Sequence, residues 1–153
     1  MRKNLSNKQI EKYSRQIVLK NVGTIGQKKI LKSNVLVVGA GGLGCPVIDY
    51  LSRAGVGRLG IIDYDKIDPS NIHRQSIYTF KDVGKYKVDV LKKKIMDINP
   101  DVKTKIFKNK ITNKNVDKIL RQFDIIIDGS DNFKTKFLLN KFARKLKKTL
   151  IVG

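Results

Sequence analysis

A chain of 153 residues with 41% hydrophobic residues holds enough apolar material for one domain with its own core, which excludes a disordered chain. No apolar run approaches the roughly 20 residues of a membrane helix, and the start MRKNLSNKQIEKYSRQ lacks the apolar stretch of a secretory signal, so neither class is expected. The net charge of +20 invites nucleic acid, but the basic residues are mostly Lys and are scattered through QKKILKS, LKKKIMD, KTKIFKNK and ARKLKK, with no neighbouring aromatic cluster to stack bases. A nucleic-acid site is therefore not expected, while a general attraction for nucleotides and acidic proteins is. The single cysteine, Cys45, excludes an internal disulfide and a cysteine-only metal site and fits a cytoplasmic protein.

In chain order, Ser6 can cap a helix running to about Lys20, and GQKKILKS reads as a second short helix. NVLVVG (34–39) is a continuous β-branched run, the pattern of a strand buried on both faces. GAGGLG follows, then CPVIDYLSRAG with helical spacing, Pro46 in its first turn and Gly55 at its stop. RLGIID (58–63) is a second buried strand. A polar stretch, DYDKIDPSNIHRQ (63–75), follows without helical or strand period. Residues 82–100 read as an amphipathic helix stopped by Asn-Pro, DVKTKIFKNK as a strand and NKNVDKILRQF as a helix. DIIIDGSD (124–131) is a third buried strand, NFKTKFLLNKFARKLKK a helix, and TLIVG one more strand.

Strands alternating with helices predict a parallel sheet covered on both faces, a Rossmann-like, doubly wound α/β fold. The expected organisation is a helical segment over 1–33 and a core over 34–153. Such folds place their site at the carboxyl ends of the strands, and the sequence stops as a strand ends. The expectation is a C-terminally truncated chain whose continuation supplies more of the site.

Gly39, Gly41 and Gly44 form G-x-G-x-x-G between a strand and a helix, where tight turning and free helix N–H groups suit a nucleotide phosphate. Asp63 ends the next strand, where a ribose-binding acid belongs for NAD and ATP alike. Asp131 and Asn132 follow the third strand. Asp131 suits Mg²⁺, or else Asp131 or Ser130 caps the next helix. Lys85 and Lys87 suit phosphate or plain solvation. His73 has no partner at metal-ligand spacing and reads as a surface residue. Cys45, in a helical first turn, reads as a small packing residue.

KYSRQI, VLVVGAGGLGCP, GVGRLGIIDYDKIDPSNIHRQ, VGKYK, INP and DIIIDGSDN together resemble the ubiquitin-activating-enzyme superfamily. The resemblance is to its bacterial branch of molybdopterin-synthase and thiazole-pathway sulfur-carrier adenylyltransferases, and it covers nearly the whole chain. It implies ATP-dependent adenylation of the C-terminal glycine carboxylate of a ubiquitin-like sulfur carrier ending in Gly-Gly, with Mg²⁺ as cofactor. By position it implies Gly42 at an ATP phosphate and Asp63 at the ribose. It implies Ser70, Asn71, Ile72, His73 and Arg74 along the nucleotide, with Asn71 and Arg74 at its phosphates. Lys87 matches a phosphate-binding lysine, and Asp131, beside Asn132, the acid associated with Mg²⁺. Arg15 matches an arginine that reaches the partner subunit's ATP site, which implies a homodimer. The family's paired Cys-x-x-Cys zinc ligands have no match within these residues, so structural Zn²⁺ is expected only from a longer chain.

Three other readings compete. An NAD-dependent oxidoreductase accounts for the glycine loop and Asp63 but not for Arg15, SNIHRQ or Asp131–Asn132. A non-catalytic nucleotide-binding or dimerising module fits a truncated chain. A tRNA- or peptide-modifying relative would share the ATP site.

Overall fold

The computed structural model describes residues 4–153. Three helices open the chain, α1 (Asn7–Lys12), α2 (Ser14–Ile17) and α3 (Gly23–Ile30). Ser6 caps α1 as expected, its Oγ accepting from the Gln9 N–H at 3.2 Å while Gln9 Oε1 accepts from the Ser6 N–H at 3.0 Å. The expected single helix to Lys20 does not form. It breaks at Tyr13, whose buried hydroxyl accepts a hydrogen bond from Asn99 Nδ2 at 3.0 Å. That distant anchor turns the chain where local periodicity would have continued it. The second expected helix starts three residues earlier than GQKKILKS, at Gly23.

A five-stranded parallel sheet follows, in the spatial order β3-β2-β1-β4-β5. Its strands are β1 (Asn34–Val38), β2 (Arg58–Ile62), β3 (Lys103–Phe107), β4 (Ile125–Asp128) and β5 (Thr149–Val152). The helices between them are α4 (Gly44–Ala54), α5 (Lys87–Ile98), α6 (Val116–Leu120) and α7 (Phe133–Leu146). This is the strand order of a Rossmann-like sheet, and it reverses direction between β1 and β4. β1 runs in register with both neighbours, Val37 opposite Ile61 on one side and Ile127 on the other.

The alternation of β1 divides the core. Val35 and Val37 pack with Ile48, Leu59, Ile61, Leu91 and Ile95 on one face. Leu36 and Val38 pack with Ile62, Leu120, Phe123, Ile126 and Leu139 on the other. The continuous apolar run of this strand is thus explained by burial on both faces.

The helix expected over 82–100 begins only at Lys87. Residues 84–87 instead bond to the loop after β2 around one antiparallel bridge, Lys66 opposite Tyr86. Gly84 N–H donates to Ile67 O at 2.8 Å, Ile67 N–H to Lys85 O at 2.9 Å, and Lys87 N–H to Asp65 O at 3.0 Å. This pairing fastens the polar stretch 63–75 to the start of α5, and with it one wall of the site.

Candidate functional site

The glycine loop is built by close backbone approach. Gly39 has φ +91°, and a Cβ there would stand 2.8 Å from Gly129 O. A Cβ on Gly44 would overlap the Gly39 carbonyl, and one on Gly129 would lie 3.2 Å from Gly44 Cα. Three glycine backbones therefore interlock where β1 ends, α4 begins and β4 ends. Ala40 is pinned from both sides. Its N–H donates to Asp63 Oδ2 at 2.7 Å, and its carbonyl accepts from Tyr78 OH at 3.0 Å. The N–H groups of Gly41, Gly42 and Leu43 make no backbone hydrogen bond among the described residues. They sit at the positive end of α4, the arrangement that binds anions.

Asp63 does structural work with the carboxylate assigned to ribose. Oδ2 holds Ala40, and Oδ1 accepts from the Asp65 N–H at 2.7 Å. A carboxylate has about four acceptor sites, so two remain for a ligand. In the next turn Asp68 and Asn71 cap each other, Asn71 Oδ1 accepting from the Asp68 N–H at 3.2 Å. The Asn71 amide nitrogen donates to no group among the described residues. Arg74 arches over the glycine loop, its Cγ and Cδ 3.8 Å from where a Cβ on Gly42 would stand. Its Nη1 donates to Ser70 O at 2.9 Å, and no carboxylate pairs with it among the described residues. Lys87, the first residue of α5, is buried and donates to Asp65 Oδ2 at 3.2 Å.

On the opposite wall the cap of α7 is neither Asp131 nor Ser130. Asn132 Oδ1 accepts from the Thr135 N–H at 2.9 Å. Ser130 turns instead to the buried Asp128, giving its N–H at 2.9 Å and its Oγ–H at 2.6 Å to Oδ1. The Asp131 carboxylate is left exposed, with no ion pair among the described residues.

These walls enclose a cleft of about 1620 Å³ at the carboxyl ends of the strands. That exceeds the roughly 300–1,000 Å³ of a common small-molecule pocket, as a wide cleft open to solvent does. Gly39, Gly41, Gly42, Asp63 and Asn71 line it, as do Arg74, Lys87, Asp131 and Asn132. Gly44, Ser70, Ile72 and His73 do not. Gly44 is packed beneath the loop, Ser70 offers its carbonyl to Arg74, and Ile72 packs toward the core. His73 is exposed and approaches only Arg74, at 3.5 Å. Arg15 is exposed on α2, away from the cleft of its own chain.

Burial pushes the Cys45 thiol up to about 11, so it stays protonated near neutrality, and its Sγ lies 3.4 Å from Ala40 O. It packs the glycine loop and is no nucleophile. Among the described residues no group of three or more His, Cys, Asp or Glu side chains could hold a metal ion by itself. Asp131 fits Mg²⁺, which takes one or two carboxylates and fills its shell with phosphate oxygens and water. Nothing among the described residues fits structural zinc. Sequence reasoning passed over Asp65, Tyr78 and Asp128, although Asp65 and Asp128 stand in the acid-rich DYD and DGSD stretches.

Residues 13–153 match the ThiF family. The chain belongs to that family. Among ThiF-family relatives, the "sulfur carrier protein adenylyltransferase" of Thermus thermophilus is 43% identical over 148 residues, covering 97% of this chain and 55% of the relative. The "adenylyltransferase and sulfurtransferase MOCS3" of Culex quinquefasciatus is 44% identical over 149 residues, covering 97% of this chain and 34% of the relative. The chain thus spans about half the length of the first and a third of the second. Among solved structures, the E. coli tRNA N6-threonylcarbamoyladenosine dehydratase TcdA in complex with AMP superposes with a TM-score of 0.88 at 25% identity. That match covers 96% of this chain and 60% of TcdA.

Proposed function

We propose that this chain forms the ATP site of an adenylyltransferase that activates the C-terminal glycine of a ubiquitin-like sulfur carrier. The observation that carries the reading is the set of groups facing one cleft. These are free glycine-loop N–H groups, an Arg74 without a carboxylate partner, the buried Lys87 and the exposed Asp131. A hydride-transfer site needs none of the last three. The names of the Thermus and Culex relatives support the same choice.

The chemistry follows from charge. A carboxylate is already ionised, so its attack on the α-phosphorus of ATP requires no general base. The new carboxylate O–P bond forms as the bond from the α-phosphorus to the bridging oxygen of pyrophosphate breaks. Acyl-adenylate and pyrophosphate result. Two anions must meet, and Arg74, Lys87 and the loop N–H groups lower that repulsion and hold the line of attack. Mg²⁺ held at Asp131 supplies further charge at the phosphates. Asp63 takes the ribose, Asn71 and Asn132 flank the phosphates, and Arg15 is supplied across a homodimer to the other subunit's site. In this reading residues 34–153 are the ATP-binding core and the preceding helices carry Arg15.

ATP–pyrophosphate exchange with carriers ending in Gly-Gly tests the proposal. Carrier-dependent exchange, abolished by Arg74→Ala, is the expected result. Exchange that is absent in this chain and in longer ThiF-family chains containing it would overturn the reading. The TcdA likeness supports a second reading, a tRNA-modifying relative using the same ATP site. It would show as exchange driven by tRNA and not by the carrier.

A further inference from the structure

Gln75 is the residue of SNIHRQ that the proposed chemistry leaves without a task. Its side chain is 3% exposed and lines the cleft. Its Nε2 lies 3.8 Å from where a Cβ on Gly41 would stand, so the carboxamide lies against the glycine loop. Its Oε1 is buried with no hydrogen-bond partner among the described residues. Gln27 also has a partnerless oxygen, but its Nε2 is committed to Ala54 O at 3.0 Å, a bond between two helices. Gln75 has no such bond to account for its place.

An unpaired buried amide oxygen costs about 1–3 kcal/mol, and native structures leave few such groups unexplained. An apolar side chain of the same length would fill the space without that cost. The neighbours show what the amide offers that an apolar chain does not. Arg74 brings full charge to one side of Gly42, and the N–H groups of Gly41 and Gly42 have no acceptor among the described residues. A carboxamide beside them adds a neutral donor at a fixed height above the loop.

We propose that Gln75 is a nucleotide-binding residue whose Nε2 donates a hydrogen bond to a phosphate oxygen seated on Gly41. The buried Oε1 is the cost of keeping an amide there, and the bond that Nε2 donates to the phosphate is what the amide contributes in return. This inference rests on the ATP reading of the cleft and extends it to a residue outside the positions carried by resemblance.

The test compares the unaltered chain with Gln75→Met and Gln75→Glu, by ATP titration calorimetry and thermal unfolding without ligand. Gln75→Met removes the unpaired oxygen and the donor together. It is expected to raise Tm by a few degrees and to weaken ATP about tenfold, since one hydrogen bond to a charged group is lost. Gln75→Glu keeps the shape but turns a carboxylate on the phosphate, and is expected to weaken ATP more than Gln75→Met. A purely structural role would move Tm and affinity down together, or leave affinity untouched. Either of those outcomes, in a variant with native circular dichroism, overturns the proposal while the ATP reading stands. If the unaltered chain does not bind ATP, both fall.

Discussion

The two ends of the sheet have opposite electrostatic habits. At the amino end, beneath Tyr13, one hydrogen-bonded network ties the N-terminal helices to the sheet. Asn99 Nδ2 donates to Tyr13 OH at 3.0 Å and Ser52 O at 2.9 Å, while Lys12 donates to Asn99 Oδ1 at 3.0 Å and Asp101 at 2.7 Å. At the carboxyl end Arg74 and Asp131 face the cleft without ion pairs among the described residues, and Gln75 Oε1 is unpaired. Both ends have a hollow, about 490 Å³ at the amino end and 1620 Å³ at the other. Concavity does not distinguish them, nor does a lone buried amide oxygen, since Gln27 Oε1 at the amino end and Gln75 Oε1 at the other both lack a partner among the described residues; the unpaired charges of Arg74 and Asp131 do. The amino end holds the helices to the sheet, and the carboxyl end keeps its groups available for a ligand.

That contrast can be broken from either side. The largest effect is expected from Gly55→Val. Gly55 has φ +81°, and a Cβ there would strike the Tyr13 ring. Left-handed strain and overpacking together should cost about 3 kcal/mol or more, read as a lower urea midpoint. Next, Asp131→Ala should lower ATP–pyrophosphate exchange about 100-fold or more and leave the urea midpoint nearly unchanged. A parallel loss of stability would mean the two ends are not divided as described. Asn99→Ala strips the amino-end network, leaving Tyr13 OH without its Asn99 donor and Ser52 O with the Gly55 N–H alone, which should cost about 1–3 kcal/mol with ATP affinity retained.

The smallest effect is expected at Asp82. Burial would raise its carboxyl, but hydrogen bonds from the Thr79 hydroxyl and N–H, with the Lys85 ammonium, together hold it below the usual range. A carboxyl lowered on folding stabilises above its unfolded value of about 3.9 and loses that contribution as pH falls through the lower folded value. Asp82→Asn should therefore cost under about 1 kcal/mol at pH 7. The difference from the unaltered chain should shrink in urea melts as pH falls below the unfolded value.

The strands were legible because their cause is local. A β-branched run buried on both faces reads the same in sequence and in space, and β1 and β2 lie where the pattern put them, while β4 stops at Asp128, short of the expected 131, because Gly129 and Ser130 turn into the site. The glycine loop was legible because backbone approach demands glycine. What sequence could not show depended on distant partners. Tyr13 breaks a helix to meet Asn99, and residues 84–87 leave a helical pattern to pair with 65–67. At the site, Asp63, Arg74, Lys87 and Asp131 gather in one cleft as the strand order predicts, with Arg15 apart from it. Gln75 was opaque, because only the fold reveals that it is buried against Gly41.

The interlock of Gly39, Gly44 and Gly129 has a consequence for how such a chain can change over generations. Each of the three excludes a side chain from another, so a replacement at one cannot be rescued by shrinking a neighbour already at its minimum. The lysine-rich faces can drift one codon at a time. Gly39 and Gly44 leave no room for any side chain, while at Gly129 a Cβ would need Gly44 to give by a few tenths of an ångström, so deep mutational libraries should be most depleted at the first two.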